Sequence, residues 1–225
     1  MAAQELLVPA TGALRPAAFL DRDGVINRDH GYVWRIEDFE YLPGVLDAAA
    51  QLAAAGYALV VVTNQAGIGR GMYTLADFTR LTDWMLARFA EAGAALAGVY
   101  HCPHHPSLAL GEYRRACDCR KPAPGMLLAA SRDLGLSLAD SVIFGDKCDD
   151  MCAGHAAGVG LRVLLGKDAL ALPTQDCAQA SLRHVSLASA LTDGELRTVL
   201  RVPGRSGATT PAPATATAQF DPPLR

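Results

Sequence analysis

The chain has 225 residues, 51% of them hydrophobic and 19% charged, with a formal net charge of −3. This balance fits a soluble protein with a well-filled core and offers no broad attraction to nucleic acid or acidic lipid. Residues 1–16 lack a basic segment leading into an apolar one, and Asp47, Gln51 and Gly56 interrupt the most apolar stretch, 42–62. A secretory signal and a membrane span are therefore not expected, and the cytoplasm is the default compartment.

After an N-terminal extension, residues 1–16, the run 17–20 (AAFL) reads as a buried parallel strand that stops in the charged turn Asp21-Arg22-Asp23-Gly24. Residues 28–41 carry aromatic and charged side chains without a period and read as a flap near that turn. Pro43 opens a helix with Val45, Leu46, Ala49, Leu52 and Ala53 on one stripe, closed by Gly56. A second buried strand, 57–62, ends in Thr63-Asn64-Gln65, and 66–72 (AGIGRGM) reads as a glycine-rich turn. Thr74, with Asp77 three residues on, caps a helix whose Leu75, Phe78, Leu81, Met85 and Phe89 are core.

Val99 and Tyr100 form a short strand before a Cys/His-rich loop, 101–121. A helix over 124–134, a strand over 141–145 ending in Asp146-Lys147, a helix around Met151 and a strand over 161–165 follow. The weaker signal beyond Gly166 allows an edge strand at 182–185 and a helix over 186–200 broken near Gly194; the Pro/Ala/Thr-rich 201–225 reads as a disordered tail. Strands alternating with helices over 17–200 predict one α/β domain, a doubly wound parallel sheet of Rossmann-like form with helices on both faces.

Three strands thus end in reactive groups: Asp21 with Asp23, Thr63, and Asp146. In a parallel sheet those ends open on one edge. With Lys121 they supply carboxylates, a hydroxyl and an ammonium, the equipment for in-line phosphoryl transfer assisted by a hard cation.

A second cluster, Cys102, His104, Cys117 and Cys119, is spaced C-x-H-x12-C-x-C. Four paired soft ligands around one loop signal tetrahedral Zn²⁺; with no open position for water the site is structural. His101 and His105 read as solvated loop histidines, Cys148 and Cys152 as small buried residues, and Cys177 carries no role.

Asp21-x-Asp23-Gly24, Thr63, Lys121 and Gly145-Asp146-x-x-x-Asp150 resemble the four motifs of the haloacid dehalogenase-like (HAD) phosphatases. The segments FLDRDGVIN, GYVWRIEDFEYLPGV, VVVTNQAGIGRG, CPHHP, CDCRKPAPGMLL and FGDKCDDM resemble the heptose bisphosphate phosphatase branch, over roughly 17–166. The resemblance implies a HAD-like fold with a zinc-binding loop and a Mg²⁺-dependent phosphatase. It would remove the 7-phosphate of D-glycero-D-manno-heptose 1,7-bisphosphate through an aspartyl-phosphate, on the way to nucleotide-activated heptose for lipopolysaccharide or other surface glycans.

By the same resemblance Asp21 is the nucleophile and Asp23 the general acid and then base. Asp21, Asp146 and the main-chain carbonyl of Asp23 hold Mg²⁺. Thr63 and Lys121 bind the reacting phosphate with Asn64 and Gln65 beside them, and Asp150 orients Lys147 or metal-bound water. Asp29, His30, Gly31, Tyr32, Arg120 and Lys147 contact the sugar and its second phosphate. The expected partner is a small sugar bisphosphate and the expected state a monomer. The alternatives are a histidinol-phosphate phosphatase with a similar zinc loop, and an inactive zinc-stabilised binding module.

Overall fold

The computed structural model describes residues 14–200 and the pair Thr217–Ala218. Its centre is a parallel sheet ordered β6-β5-β4-β1-β2-β3-β7. The strands are β1 Arg15–Leu20, β2 Ala58–Asn64, β3 Leu96–Cys102, β4 Leu136–Gly145, β5 Leu161–Leu165, β6 Leu182–His184 and β7 Thr217–Ala218. β7 is a two-residue pairing with Val99 and Tyr100; the rest of the tail expected to be disordered, and residues 1–13 of the extension, lie outside the described residues.

Side chains alternate across the sheet because a strand has a period of two. From β1, Ala18 and Leu20 enter one core and Ala17 and Phe19 the other. The first core is covered by α1 (Val45–Ala54), α3 (Leu75–Glu91), α6 (Leu187–Ala190) and α7 (Gly194–Val199), with the single helical turn α2 (Ala66–Gly69) at its rim. The second is covered by α4 (Gly125–Leu134) and α5 (Cys148–Ala157). Fully burying a side chain such as Phe19 or Phe144 contributes about 1.5–3 kcal/mol, so the strands that carry the reactive loops are anchored by their own side chains.

Four local readings change. The first helix begins at Val45, because Gly44 adopts φ 72° and Pro43 stands before that left-handed turn. The glycine-rich segment 66–72 contains a helical turn in which Gly67 serves packing: a Cβ there would lie 2.2 Å from the Tyr73 ring. The strand ending at Gly145 extends back to Leu136, and the short strand expected at Val99 and Tyr100 runs over Leu96–Cys102, while the terminal helix is broken before Gly194 as expected, into α6 and α7. α3 carries the expected capping box, with Asp77 N–H donating to Thr74 Oγ1 at 3.1 Å and Thr74 N–H to Asp77 Oδ2 at 3.0 Å. No helix among the described residues is long and apolar enough to cross a membrane.

Candidate active site

β1 lies at the middle of the sheet, where the chain has stepped to β2 on one side and later returns to β4 on the other. This is a topological switch point, where α/β sheets open a crevice beyond their carboxyl ends. Leu20 pairs with Phe144, and Asp21 N–H donates to the Phe144 carbonyl oxygen at 3.0 Å, which sets the Asp21 loop against the Asp146 loop. Gly24, at φ 87°, completes the approach: a Cβ there would sit 2.3 Å from Asp146 Oδ2. Any larger residue would push the two loops apart.

A cavity of about 420 Å³ occupies this edge, lined by Asp21, Asp23, Thr63, Lys121 and Asp150, and also by Asn64, Gln65, Asp29, Gly31, Tyr32, Arg120 and Lys147. Of the residues singled out in the sequence, His30 lies outside the lining and pairs with exposed Glu40 at 3.1 Å. Asp146 is not among the lining residues either, but one oxygen each of Asp21, Asp146 and Asp150 lies within 4.8 Å of the others.

Lys121 is buried among these groups. Its Nζ lies 2.9 Å from Asp21 Oδ1 and 2.5 Å from Asp150 Oδ1, and donates to the Val62 carbonyl oxygen at 2.8 Å. Asn64 clamps its main chain, accepting from Lys121 N–H at 3.1 Å and donating to the Lys121 carbonyl at 3.0 Å. Asp150 therefore holds the side chain of Lys121; toward Lys147 it offers only Oδ2, which accepts the main-chain N–H at 3.1 Å. The contact with Lys147 that the resemblance implies is thus made to its main chain, while the other oxygen of Asp150 faces Lys121.

Burial pushes Asp21 up to about 7; Lys121 opposes the shift, while Asp150 and Asp146 add to it. Burial likewise carries Asp146 up to about 6. For Lys121 burial acts downward, but the two carboxylates outweigh it and leave the ammonium more basic than usual. The carboxylates thus crowd a site that disfavours their charge, and one buried oxygen, Asp146 Oδ1, has no hydrogen-bond partner. A hard oxygen donor set with an orphaned atom fits a divalent cation.

Asp23 is held differently. Its Oδ1 accepts from Arg22 Nε at 3.2 Å and Asn27 Nδ2 at 3.0 Å, and its Oδ2 from Arg22 Nη2 at 2.8 Å and Gln65 Nε2 at 3.1 Å. Arg22 is 2% exposed despite its charge, and Nη2 also reaches the Val33 carbonyl oxygen at 2.6 Å, tying the aspartate to the 28–41 loop. Gln65 further donates to Thr63 Oγ1 at 2.8 Å and accepts from the Tyr73 hydroxyl. The sequence reading passed over Arg22, Asn27 and Tyr73; an arginine set between two carboxylates was the signal available for the first.

Around the mouth, Asp29 Oδ1 accepts Gly31 N–H at 2.9 Å and Asp29 Oδ2 lies 3.4 Å from Lys147 Nζ, joining the flap to the Asp146 loop. Tyr32, at φ 57°, receives a hydrogen bond from the Arg70 guanidinium, which also lies over its ring. Arg120 Nη1 donates to the His104 carbonyl oxygen at 3.2 Å.

The four zinc-spaced residues converge beside this wall. Sγ–Sγ separations are 3.1–3.6 Å, and His104 Nδ1 lies 3.3 Å from Cys119 and 3.7 Å from Cys102. A tetrahedron of 2.3 Å metal–sulfur bonds has edges of about 3.7 Å, so the cluster is near the size of a metal site. His101 proves buried against Phe78, 4.5 Å between centroids, because it lies within the interior strand β3, one residue before its end; His105 borders the cavity, and burial with Arg120 and Arg70 nearby lowers its pKa. Cys148 and Cys152 are only half-buried, and Cys177 is buried.

A carboxylate pair, a buried ammonium and a cation-sized cluster at the switch point of a parallel sheet define an α/β phosphoryl-transfer enzyme. A family profile described as HAD-hydrolase-like matches residues 118–175. The D-glycero-beta-D-manno-heptose-1,7-bisphosphate 7-phosphatase of Vibrio cholerae is 52% identical over 151 residues, 67% of this chain and 81% of that protein. The enzyme of the same name from Escherichia coli K12 is 54% identical over 150 residues, 67% and 78% of the two chains. Among solved structures, D,D-heptose 1,7-bisphosphate phosphatase from B. bronchiseptica, complexed with magnesium and phosphate, aligns with a TM-score of 0.68 at 30% identity, covering 83% of this chain and 98% of that one. The chain belongs to this family of HAD-like phosphatases and is a phosphoric monoester hydrolase. The reading as an inactive zinc-stabilised module is thereby set aside.

Proposed function

We propose that the chain is a Mg²⁺-dependent phosphatase that removes the 7-phosphate of D-glycero-D-manno-heptose 1,7-bisphosphate, in the β anomer that the relatives' names carry. The observation that supports this most is a single cavity joining the Asp21–Lys121–Asp150 cluster to Arg120 and Lys147, two further cationic groups that suit a second phosphate. The setting is the cytoplasm and a monomer, in the synthesis of nucleotide-activated heptose.

Asp21 attacks the phosphorus in line and carries the phosphoryl group as an acyl phosphate. Asp23 gives a proton to the departing sugar oxygen and then takes one from the water that releases phosphate. Lys121 and Thr63 hold the phosphoryl oxygens, with Asn64 fixing Lys121 and Gln65 fixing Thr63 and Asp23. Asp21 and Asp146, with the main-chain carbonyl of Asp23, would hold Mg²⁺, which neutralises charge between carboxylate and phosphate. Cys102, His104, Cys117 and Cys119 would hold a structural Zn²⁺.

Phosphate release from a panel of both heptose bisphosphate anomers, histidinol phosphate and a small generic ester tests the reading. The β-bisphosphate should be hydrolysed with the highest kcat/KM; a preference for histidinol phosphate overturns it. Arg120→Ala should lower kcat/KM for the bisphosphate by on the order of 10–100-fold, the worth of a hydrogen bond to a charged group, and affect the generic ester much less. Equal losses would place Arg120 at the reacting phosphate.

Zinc joins fold to catalysis, since Cys119 is followed directly by Arg120 and Lys121. Gly125 N–H donates to the Asp118 carbonyl at 2.8 Å, so the same knuckle also seats α4. Cys119→Ser should leave the sheet folded by circular dichroism yet lower kcat by about 10²-fold, the usual effect of displacing a catalytic group by roughly 1 Å. Added Mg²⁺ should not restore it, and metal analysis of the parent should find about one zinc per chain. A zinc-free parent with full activity would refute this account.

A further inference from the structure

His105 stands out among the cavity-lining residues because its ring is already fixed in orientation and tautomer. Its Nδ1 accepts the main-chain N–H of Ser107 at 3.2 Å and of Leu108 at 3.1 Å. A nitrogen that takes two N–H bonds must carry a lone pair, so the ring proton is on Nε2. The main chain is held as well: His105 N–H donates to the Tyr113 carbonyl oxygen at 3.1 Å, and the preceding residue is His104 of the cysteine–histidine cluster. Nε2 lies across the ring from the two amides, and His105 lines the cavity together with Arg120. Arg120 in turn is anchored to the carbonyl of His104, one residue before His105.

We infer that His105 is a specificity-determining residue that donates its Nε2–H to the phosphate that is not cleaved, alongside Arg120. The inference rests on the bisphosphate reading above and assigns a second contact to it. A neutral N–H beside a guanidinium matches the oxygens of a phosphate, which only accept. The two amides preorganise the donor, so little side-chain freedom is lost on binding. One short segment, 104–105, then carries a cluster ligand, the carbonyl that orients Arg120 and the second donor.

The test is steady-state kinetics of His105→Ala and His105→Gln on heptose 1,7-bisphosphate and on heptose 7-phosphate, with the zinc content of each variant measured. His105→Ala should raise KM for the bisphosphate roughly 5- to 30-fold, as expected for one lost hydrogen bond to an anion, with kcat moving far less. The ratio of kcat/KM for bisphosphate over monophosphate should fall by the same factor. His105→Gln, which keeps an N–H near the same place, should recover most of the loss. An unchanged ratio, equal losses on both substrates, or no recovery in a zinc-replete Gln variant overturns the inference while the proposed function stands. A parent that does not prefer the bisphosphate over the monophosphate overturns both, through its own kinetics.

Discussion

Asp21→Asn is expected to lower kcat by on the order of 10⁴–10⁶-fold, the scale seen when an enzyme loses its nucleophile. An amide oxygen is a poor nucleophile, and the acyl phosphate it would have to form has no counterpart. The fold should survive. Burial already disfavours the charge on Asp21, holding its pKa near 7, so a neutral isostere relieves a strained position. Lys121 loses one carboxylate but keeps Asp150 at 2.5 Å and the Val62 carbonyl at 2.8 Å, so its ammonium is not left unpaired. Thermal unfolding of the variant should match or exceed that of the parent in metal-free buffer. Acid-quenched parent caught during turnover should carry phosphate that is labile to hydroxylamine, and the variant none. Turnover near the parent rate would remove the covalent mechanism.

Asp23→Asn is the second large effect, about 10²–10⁴-fold, the range for general acid–base assistance. Here the local structure should respond too. Both oxygens of Asp23 accept from N–H donors, two from Arg22 and one each from Asn27 and Gln65. An asparagine must turn its NH₂ toward one of those sides, setting donor against donor beside a buried guanidinium. Under the proposed mechanism, in which Asp23 is the base of the second half-reaction, the variant should accumulate the acyl phosphate on Asp21. Rapid-quench measurement of the bound phosphate checks this: a variant within tenfold of the parent rate, with no accumulation, would mean that Asp23 does not act as acid and base.

Strands β1, β2, β4 and β5 were legible in the sequence because each contains a short apolar run closed by a polar or glycine turn, a pattern set within a few residues, whereas β7, a Thr-Ala pair in the tail, carries no such run. The same locality made α3 readable from Thr74 and its stripe of Leu75, Phe78, Leu81 and Met85, and the cysteine–histidine cluster readable from spacing alone. The start of α1 was missed because the left-handed conformation of Gly44 outweighs the usual preference of a proline for the first turn. His101 was misjudged since the sequence shows only a Cys/His-rich neighbourhood, whereas β3 runs through it and carries the ring inward.

What the sequence determined by itself is the set of reactive groups and the strand ends that carry them: Asp21, Asp23, Thr63 and Asp146, with Lys121 and the metal-spaced loop. The tertiary structure alone decided how they pair. Arg22's bonds to Asp23 and the Val33 carbonyl and His30's pairing with Glu40 are made within the loop that follows β1, whereas Asp150's grip on Lys121 and Gln65's bridge from Thr63 to Asp23 depend on strand order and register. The physical reason is that the latter contacts join residues brought together by the β4-β1-β2 arrangement and by single-residue close approaches such as Gly24 on Asp146. Local periodicity fixes which face a side chain takes, but the partner it meets there is set by the folding of the whole sheet.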